Sequence, residues 1–116
     1  MLLIKTYIEK SVIHGIGLYA DEAISKGQVI ARLNDFDIKV SVEDVPESAK
    51  PLFDFYFSRQ GGQYQTYIDN MRFMNHADKP NCIDSKDGTT IAIKDIKKGE
   101  ELTCDYSFFC DLWQNR

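Results

Sequence analysis

The sequence predicts a mainly β domain interrupted by one short helical insertion. Three observations carry this. Short runs of β-branched and aromatic residues recur along the chain, each bounded by glycine or other turn residues. An Asp-Gly pair separates two such runs. Between the β-rich halves, two prolines confine a segment whose apolar residues have helical spacing.

The elements follow in chain order. Leu3 to Ile8 reads as a strand. His14-Gly15-Ile16-Gly17 reads as a tight turn, after which Leu18-Tyr19-Ala20 restarts extended chain. Gln28 to Leu33 is the next strand, entered through Lys26-Gly27. Residues 35–63 form the insertion. Ser41-Val42-Glu43-Asp44 predicts a helical turn opened by a side-chain cap. Pro46 and Pro51 exclude one long helix, while Leu52, Phe55, Tyr56 and Arg59 have helical spacing with Pro51 at the first turn. Gly61-Gly62 ends that segment. Cys82–Lys86 and Thr89–Lys94 then form a hairpin across Asp87-Gly88.

One stretch is echoed. Ala23-Ile24-Ser25-Lys26-Gly27-Gln28-Val29-Ile30 and Asp95-Ile96-Lys97-Lys98-Gly99-Glu100-Glu101-Leu102 share an Ile, a spacer, Lys-Gly and a strand. The echo reads either as two similar β-hooks packed together or as the ordinary use of Lys-Gly turns before strands.

At 116 residues the chain fits one domain, 1–116, and 43% hydrophobic residues suffice for a core. No apolar run approaches the roughly 20 residues of a membrane helix. Met1-Leu2-Leu3-Ile4-Lys5 is charged too soon for a signal peptide, so an intracellular protein of cytoplasm or nucleus is expected, not a secreted or membrane one. The net charge of −4 argues against direct nucleic-acid binding and suits a basic peptide as partner. The three cysteines Cys82, Cys104 and Cys110 have no C-x-x-C spacing, and the only histidines are His14 and His76. Neither a disulfide framework nor a metal site is expected.

Four segments carry the candidate chemistry: His14-Gly15-Ile16-Gly17-Leu18-Tyr19-Ala20, Arg72-Phe73-Met74-Asn75-His76 continuing to Pro80-Asn81-Cys82, Glu100-Glu101-Leu102-Thr103-Cys104-Asp105-Tyr106, and Phe108, Phe109 and Trp113 near the C-terminus. A G-x-G alone is weak, and without G-x-G-x-x-G opening a helix it is no dinucleotide fingerprint. Together and in this order, the segments resemble the SET-domain family of protein-lysine methyltransferases. That family carries an early G-x-G, then R-F-x-N-H with P-N, then E-L-x-x-D-Y. Tyr67-Ile68-Asp69 also resembles the I-D stretch that precedes the family's Asn-His. The resemblance runs from about Gly15 to Tyr106.

The resemblance implies a β-clip of small curved sheets, with the C-terminal Asp-Tyr strand threaded in a pseudoknot-like arrangement that gathers Asn75, His76 and Tyr106. It implies S-adenosylmethionine as methyl donor, with cofactor contacts from Gly15, Ile16, Gly17, Leu18, Arg72, Phe73, Asn75 and His76. Tyr106 is the implied catalytic residue, orienting the methyl and stabilising the changing charge. Phe108 would wall a lysine channel, and Tyr64, Tyr67 and the insertion would meet the peptide, for which a histone tail is the family's expectation. Cys104 stands where relatives often carry Phe or Tyr; the smaller side chain leaves room for more than one methyl.

The sequence departs from the pattern elsewhere too, and the gap between the I-D stretch and R-F is shorter than usual. Ala77-Asp78 follows Asn75-His76 where Ser-Cys is usual, and the cysteine-rich zinc segment that follows the domain in many relatives has no counterpart. The 107–116 tail would therefore close the site by packing, with Trp113 against the cofactor or the channel, and a homodimer could supply missing wall. Two other readings compete: a catalytically silent SET-like module that binds a peptide or the cofactor, and a β-clip carbohydrate- or metabolite-binding domain sharing only Gly15 to Ile30.

Overall fold

A computed structural model describes residues 1–33 and 37–108. Four small sheets occur among the described residues. The first is an antiparallel hairpin of β1 (Thr6–Lys10) and β2 (Ile16–Ala20), paired from Thr6 opposite Ala20 to Lys10 opposite Ile16. The first strand thus lies later than Leu3–Ile8. Residues 1–3 run instead beside β3 (Val29–Arg32), with the Leu3 amide donating to the Ile30 carbonyl at 2.8 Å. The apolar run serves two sheets, which its composition alone does not reveal.

The insertion holds more strand than the sequence predicts. β4 (Ile38–Ser41), β5 (Ser58–Gln60) and β6 (Gln63–Thr66) form a three-stranded sheet in the order β4-β6-β5. Gly61 and Gly62 are the two turn residues between β5 and β6, at φ of 59° and 77°. Two successive positive φ values define the tight turn that a glycine pair supplies without strain. A 3-10 turn at Val42–Asp44 follows Ser41 as expected, but Ser41 makes no side-chain cap. Its first amide, Val42 N–H, donates to the Gly62 carbonyl instead.

The helix α1 spans Lys50–Tyr56 and has Pro51 in its first turn. Its packed face is not the stripe with helical spacing, and no residue of the helix is fully buried. Leu52, Phe55 and Tyr56 are exposed, at 62%, 80% and 69%, and Arg59 lies beyond the helix in β5. Phe53 and Phe57, four residues apart, stack on each other and pack on Tyr64. Tertiary docking onto β6 selects the face here, and with seven residues the helix is too short for periodicity to choose between two apolar stripes.

In the second half, a 3-10 turn at Asn70–Phe73 is capped by Asp69, whose carboxylate accepts from the Met71 amide at 3.0 Å. β7 (Asn75–His76) pairs in parallel with β10 (Thr103–Cys104), and β8 (Cys82–Asp84) with β9 (Thr89–Ala92) forms the expected hairpin beside β3. The turn is longer than two residues: Ser85 N–H donates to the Thr89 carbonyl, and only Gly88, at φ 85°, is left-handed. This is the three-residue loop, a turn closed by one left-handed glycine.

The echoed stretches pack against each other. Ile24 and Ile96 exchange backbone hydrogen bonds of 2.9 and 2.8 Å, and both side chains are buried. Gly27 and Gly99 share a positive φ, and in each copy a glutamine or glutamate oxygen (Gln28, Glu100) accepts from an amide three residues earlier. Leu18, Ile30, Ile96, Leu102 and Cys82 are fully buried around this contact.

Candidate active site

The motif segments converge at the short parallel pair of β7 and β10. Thr103 lies opposite Asn75 and Cys104 opposite His76, and the Ala77 amide donates to the Cys104 carbonyl at 3.0 Å. Two residues are too few to hold a strand, so side chains complete it. Buried Asn81 accepts from the Thr103 amide at 2.9 Å through Oδ1, and its Nδ2 donates to the Glu101 carbonyl at 2.9 Å. The Pro-Asn element thereby does the work of a neighbouring strand for the Glu-Leu-Thr segment.

An open cleft of about 540 Å³ lies against this junction, lined by Ile13, His14, Asn75, His76, Ala77, Asp78 and Tyr106. Asn75 is buried and its Nδ2 reaches the glycine-punctuated turn, donating to the carbonyls of His14 at 2.9 Å and Ile16 at 3.3 Å. Gly15 takes φ 50°, which a residue with Cβ adopts only with strain.

Tyr106 is held at both ends. Its hydroxyl donates to the Met74 carbonyl at 2.5 Å, and its amide donates to Nδ1 of His76 at 3.1 Å. Nδ1 is therefore an acceptor, which places the ring proton on Nε2, 3.1 Å from Oδ1 of Asp78. The adjacent Asp105 carboxylate is held below its usual range, first by the Ser107 hydroxyl and then by the Ser107 amide. The departure at Asp78 thus supplies the partner of the His76 ring.

A second group of polar side chains sits behind the junction. The Asp84 carboxylate accepts from the Thr90 hydroxyl at 2.6 Å, and burial raises its pKa. Burial, and then the charge on Asp84, push the Tyr67 phenol up to about 12. Burial likewise lifts the Cys82 thiol to about 12 and the Cys104 thiol higher still, so neither is a ready nucleophile.

Among the residues singled out from sequence, Asn75, His76 and Tyr106 line the cleft. Gly15, Ile16 and Gly17 form the turn beside it, but Leu18 is fully buried in the core and has no surface to offer. Arg72 is exposed with its guanidinium 5.0 Å over the Phe73 ring; neither lines the cleft. Tyr64 is fully buried and donates to Asp54, so it cannot meet a peptide at the surface. Tyr67 is half-buried against the core, and Cys104 is buried in β10. Phe108 ends the last described turn, and Trp113 lies outside the described residues. No cluster of metal-ligating side chains occurs among the described residues, and no described helix is long and apolar enough to cross a membrane. Sequence reasoning missed Ile13 and Ser11, which carried no signal of their own; it placed Glu101 in a motif and Ala77-Asp78 beside one without giving any of them a role.

Comparison with known proteins gives the family. The SET domain family model matches residues 15–107. An Aspergillus oryzae histone-lysine N-methyltransferase, H3 lysine-4 specific, is 33% identical over 118 aligned residues, covering 85% of this chain and 9% of its own. The Homo sapiens histone-lysine N-methyltransferase 2B is 28% identical, covering 87% and 4%. The chain thus spans a tenth or less of the length of these relatives. In fold, a solved Chaetomium thermophilum Polycomb Repressive Complex 2 superposes with a TM-score of 0.73 at 24% identity, over 94% of this chain and 16% of that one.

Proposed function

The chain belongs to the SET domain family, and from that premise we propose that it methylates lysine side chains of a protein substrate with S-adenosylmethionine as donor. The observation that carries the reading is the convergence of Asn75, His76 and Tyr106 on one cleft beside the Gly15–Gly17 turn. The cleft suits the donor. Its volume lies in the range of small-molecule sites. Ile13 and Ala77 offer apolar surface to a nucleoside, and no lysine or arginine among the lining residues repels a cationic sulfonium. Asn75, His76 and the 13–17 turn would hold it.

S-adenosylmethionine supplies a methyl group on a positively charged sulfur, and transfer forms a nitrogen–carbon bond as the carbon–sulfur bond breaks with its electron pair going to sulfur. The protein's part is to align and to exclude water. Tyr106 lines the cleft, and its hydroxyl would orient the reacting groups and stabilise changing charge. Its two hydrogen bonds make that placement rigid before substrate arrives. The substrate amine, with an unperturbed pKa of about 10.4, sheds its proton to solvent more readily on entering an apolar channel beside a cation.

The histone-directed relatives point to a basic, histone-like tail as substrate. Cys104, smaller than an aromatic at that position, supports addition of more than one methyl. The test is transfer of labelled methyl to histones and basic proteins, wild type against Tyr106→Phe, with product masses recorded. We expect transfer in the wild type, di- or trimethyl product at high enzyme, and a drop of at least about 10²-fold in the variant with donor binding retained. Donor binding without transfer to any protein would favour a silent binding module.

A further inference from the structure

One carboxylate behind the cleft ties the 11–17 loop to Asn75, two of the parts that shape its wall. Both Glu101 oxygens accept from the Ser11 hydroxyl at 2.8 Å, Oε2 accepts from Asn75 Nδ2 at 3.0 Å, and Oε1 lies 3.5 Å from the Tyr19 hydroxyl. Ser11 in turn accepts from the amides of Ile13 at 2.9 Å and His14 at 3.2 Å, the two residues that form the cleft wall. Asn75 holds the same loop from the other side through the His14 carbonyl. Gly17 faces this knot. A Cβ there would lie 2.5 Å from Oε2 and 2.8 Å from Cδ of Glu101, and its φ is not one that requires glycine. A flexible carboxylate tip could ordinarily move aside, but this one is held by its donors.

We propose that Glu101 is the positioning residue for donor binding: it fastens the Ser11–Gly17 loop to Asn75, so that Ile13 and His14 stand as one wall of the cleft. The glycine at position 17 exists for Glu101 rather than for the donor. This inference rests on reading the cleft as the donor site, but its first readout does not.

The full-length protein without donor is compared as wild type, Glu101→Ala, Glu101→Gln, Gly17→Ala and the Gly17→Ala/Glu101→Ala double variant. Amide hydrogen exchange is followed in residues 12–17, with β9 as internal reference, and S-adenosylmethionine is titrated by calorimetry. Loss of hydrogen bonds to a charged group should speed loop exchange by about tenfold or more in Glu101→Ala, with β9 unchanged. The donor dissociation constant should rise by a similar factor. Glu101→Gln keeps an acceptor for Asn75 and should retain most of the protection. Gly17→Ala should loosen the loop in the wild-type background and add less in the Glu101→Ala background, because the two closest contacts are then gone and only the 3.1 Å approach to Ser11 Cβ remains. Additive effects, unchanged loop exchange, or equal acceleration in β9 would overturn the proposal. Should Glu101→Ala not fold, Glu101→Gln and Gly17→Ala decide it by the same readouts. If wild type binds no donor while the loop still loosens in Glu101→Ala, the functional reading fails and the donor-positioning role with it, whereas the fastening of the loop to Asn75 stands.

Discussion

At the scale of single residues, the site is a set of polar groups whose partners come from backbone, from motif side chains and from Ser11 and Asp78 outside the motifs. Asn75 joins the glycine turn to Glu101, His76 supports the Tyr106 amide, and Asn81 replaces a strand. Asp84 is different, because its burial is opposed by a single hydroxyl donor, Thr90. A folded-state pKa above the unfolded value of 3.8 means the native state binds more protons, so this group favours folding most below that pH. The contribution is lost as pH rises through the raised value. Asp84→Asn retains an oxygen for Thr90 and removes the charge. It should raise the melting temperature at pH 7 by about 2–6 °C, and the gain should shrink towards zero below about pH 4. An unchanged difference across that range in a thermal melt would remove the burial argument.

At the scale of elements, turns decide where the sheets lie. The β5–β6 turn requires two left-handed residues, and no neighbouring atom comes within 4 Å of a Cβ built on Gly61 or Gly62. The constraint is therefore purely one of dihedral angle. Gly62→Ala should cost about 1 kcal/mol, measured by urea unfolding, whereas Gly61→Asn should be nearly neutral because asparagine tolerates that conformation. Docking of α1 is the complementary case. Its apolar stripe at Leu52, Phe55 and Tyr56 faces outward while Phe53 and Phe57 pack on Tyr64. Phe53 is half-buried, so Phe53→Ala should destabilise the protein by about 1–3 kcal/mol, below the range for a fully buried phenylalanine, and Phe55→Ala by well under 1 kcal/mol.

At the scale of the whole molecule, the two echoed hooks form a pseudo-symmetric clasp with Ile24 and Ile96 at its centre. It brings the segment from Glu100 to Leu102 alongside β2, where the Leu102 amide donates to the Leu18 carbonyl at 2.7 Å. Tyr106 arrives at the cleft because this strand is pinned a few residues earlier. Ile24→Ala and Ile96→Ala should each cost about 2–5 kcal/mol. The double variant should cost less than their sum, since both substitutions enlarge one cavity. Strict additivity in denaturant unfolding would mean that the two side chains do not share a core.

The sequence by itself determined the β-rich class, the hairpin at Asp87-Gly88, the pro-line-limited helix and the family motifs, because turn residues and motif spacing act locally. It also displayed the echo at Ile24 and Ile96, although pattern alone left its meaning open. Only the tertiary structure decided which face of α1 is packed, that the first apolar run serves two sheets, and that Tyr64 and Leu18 are core. The knot of Ser11, Gly17, Asn75 and Glu101 belongs to the same class. Its members lie up to 90 positions apart in the chain, and a hydrogen bond across that separation leaves no periodicity, turn signal or charge pattern in the sequence.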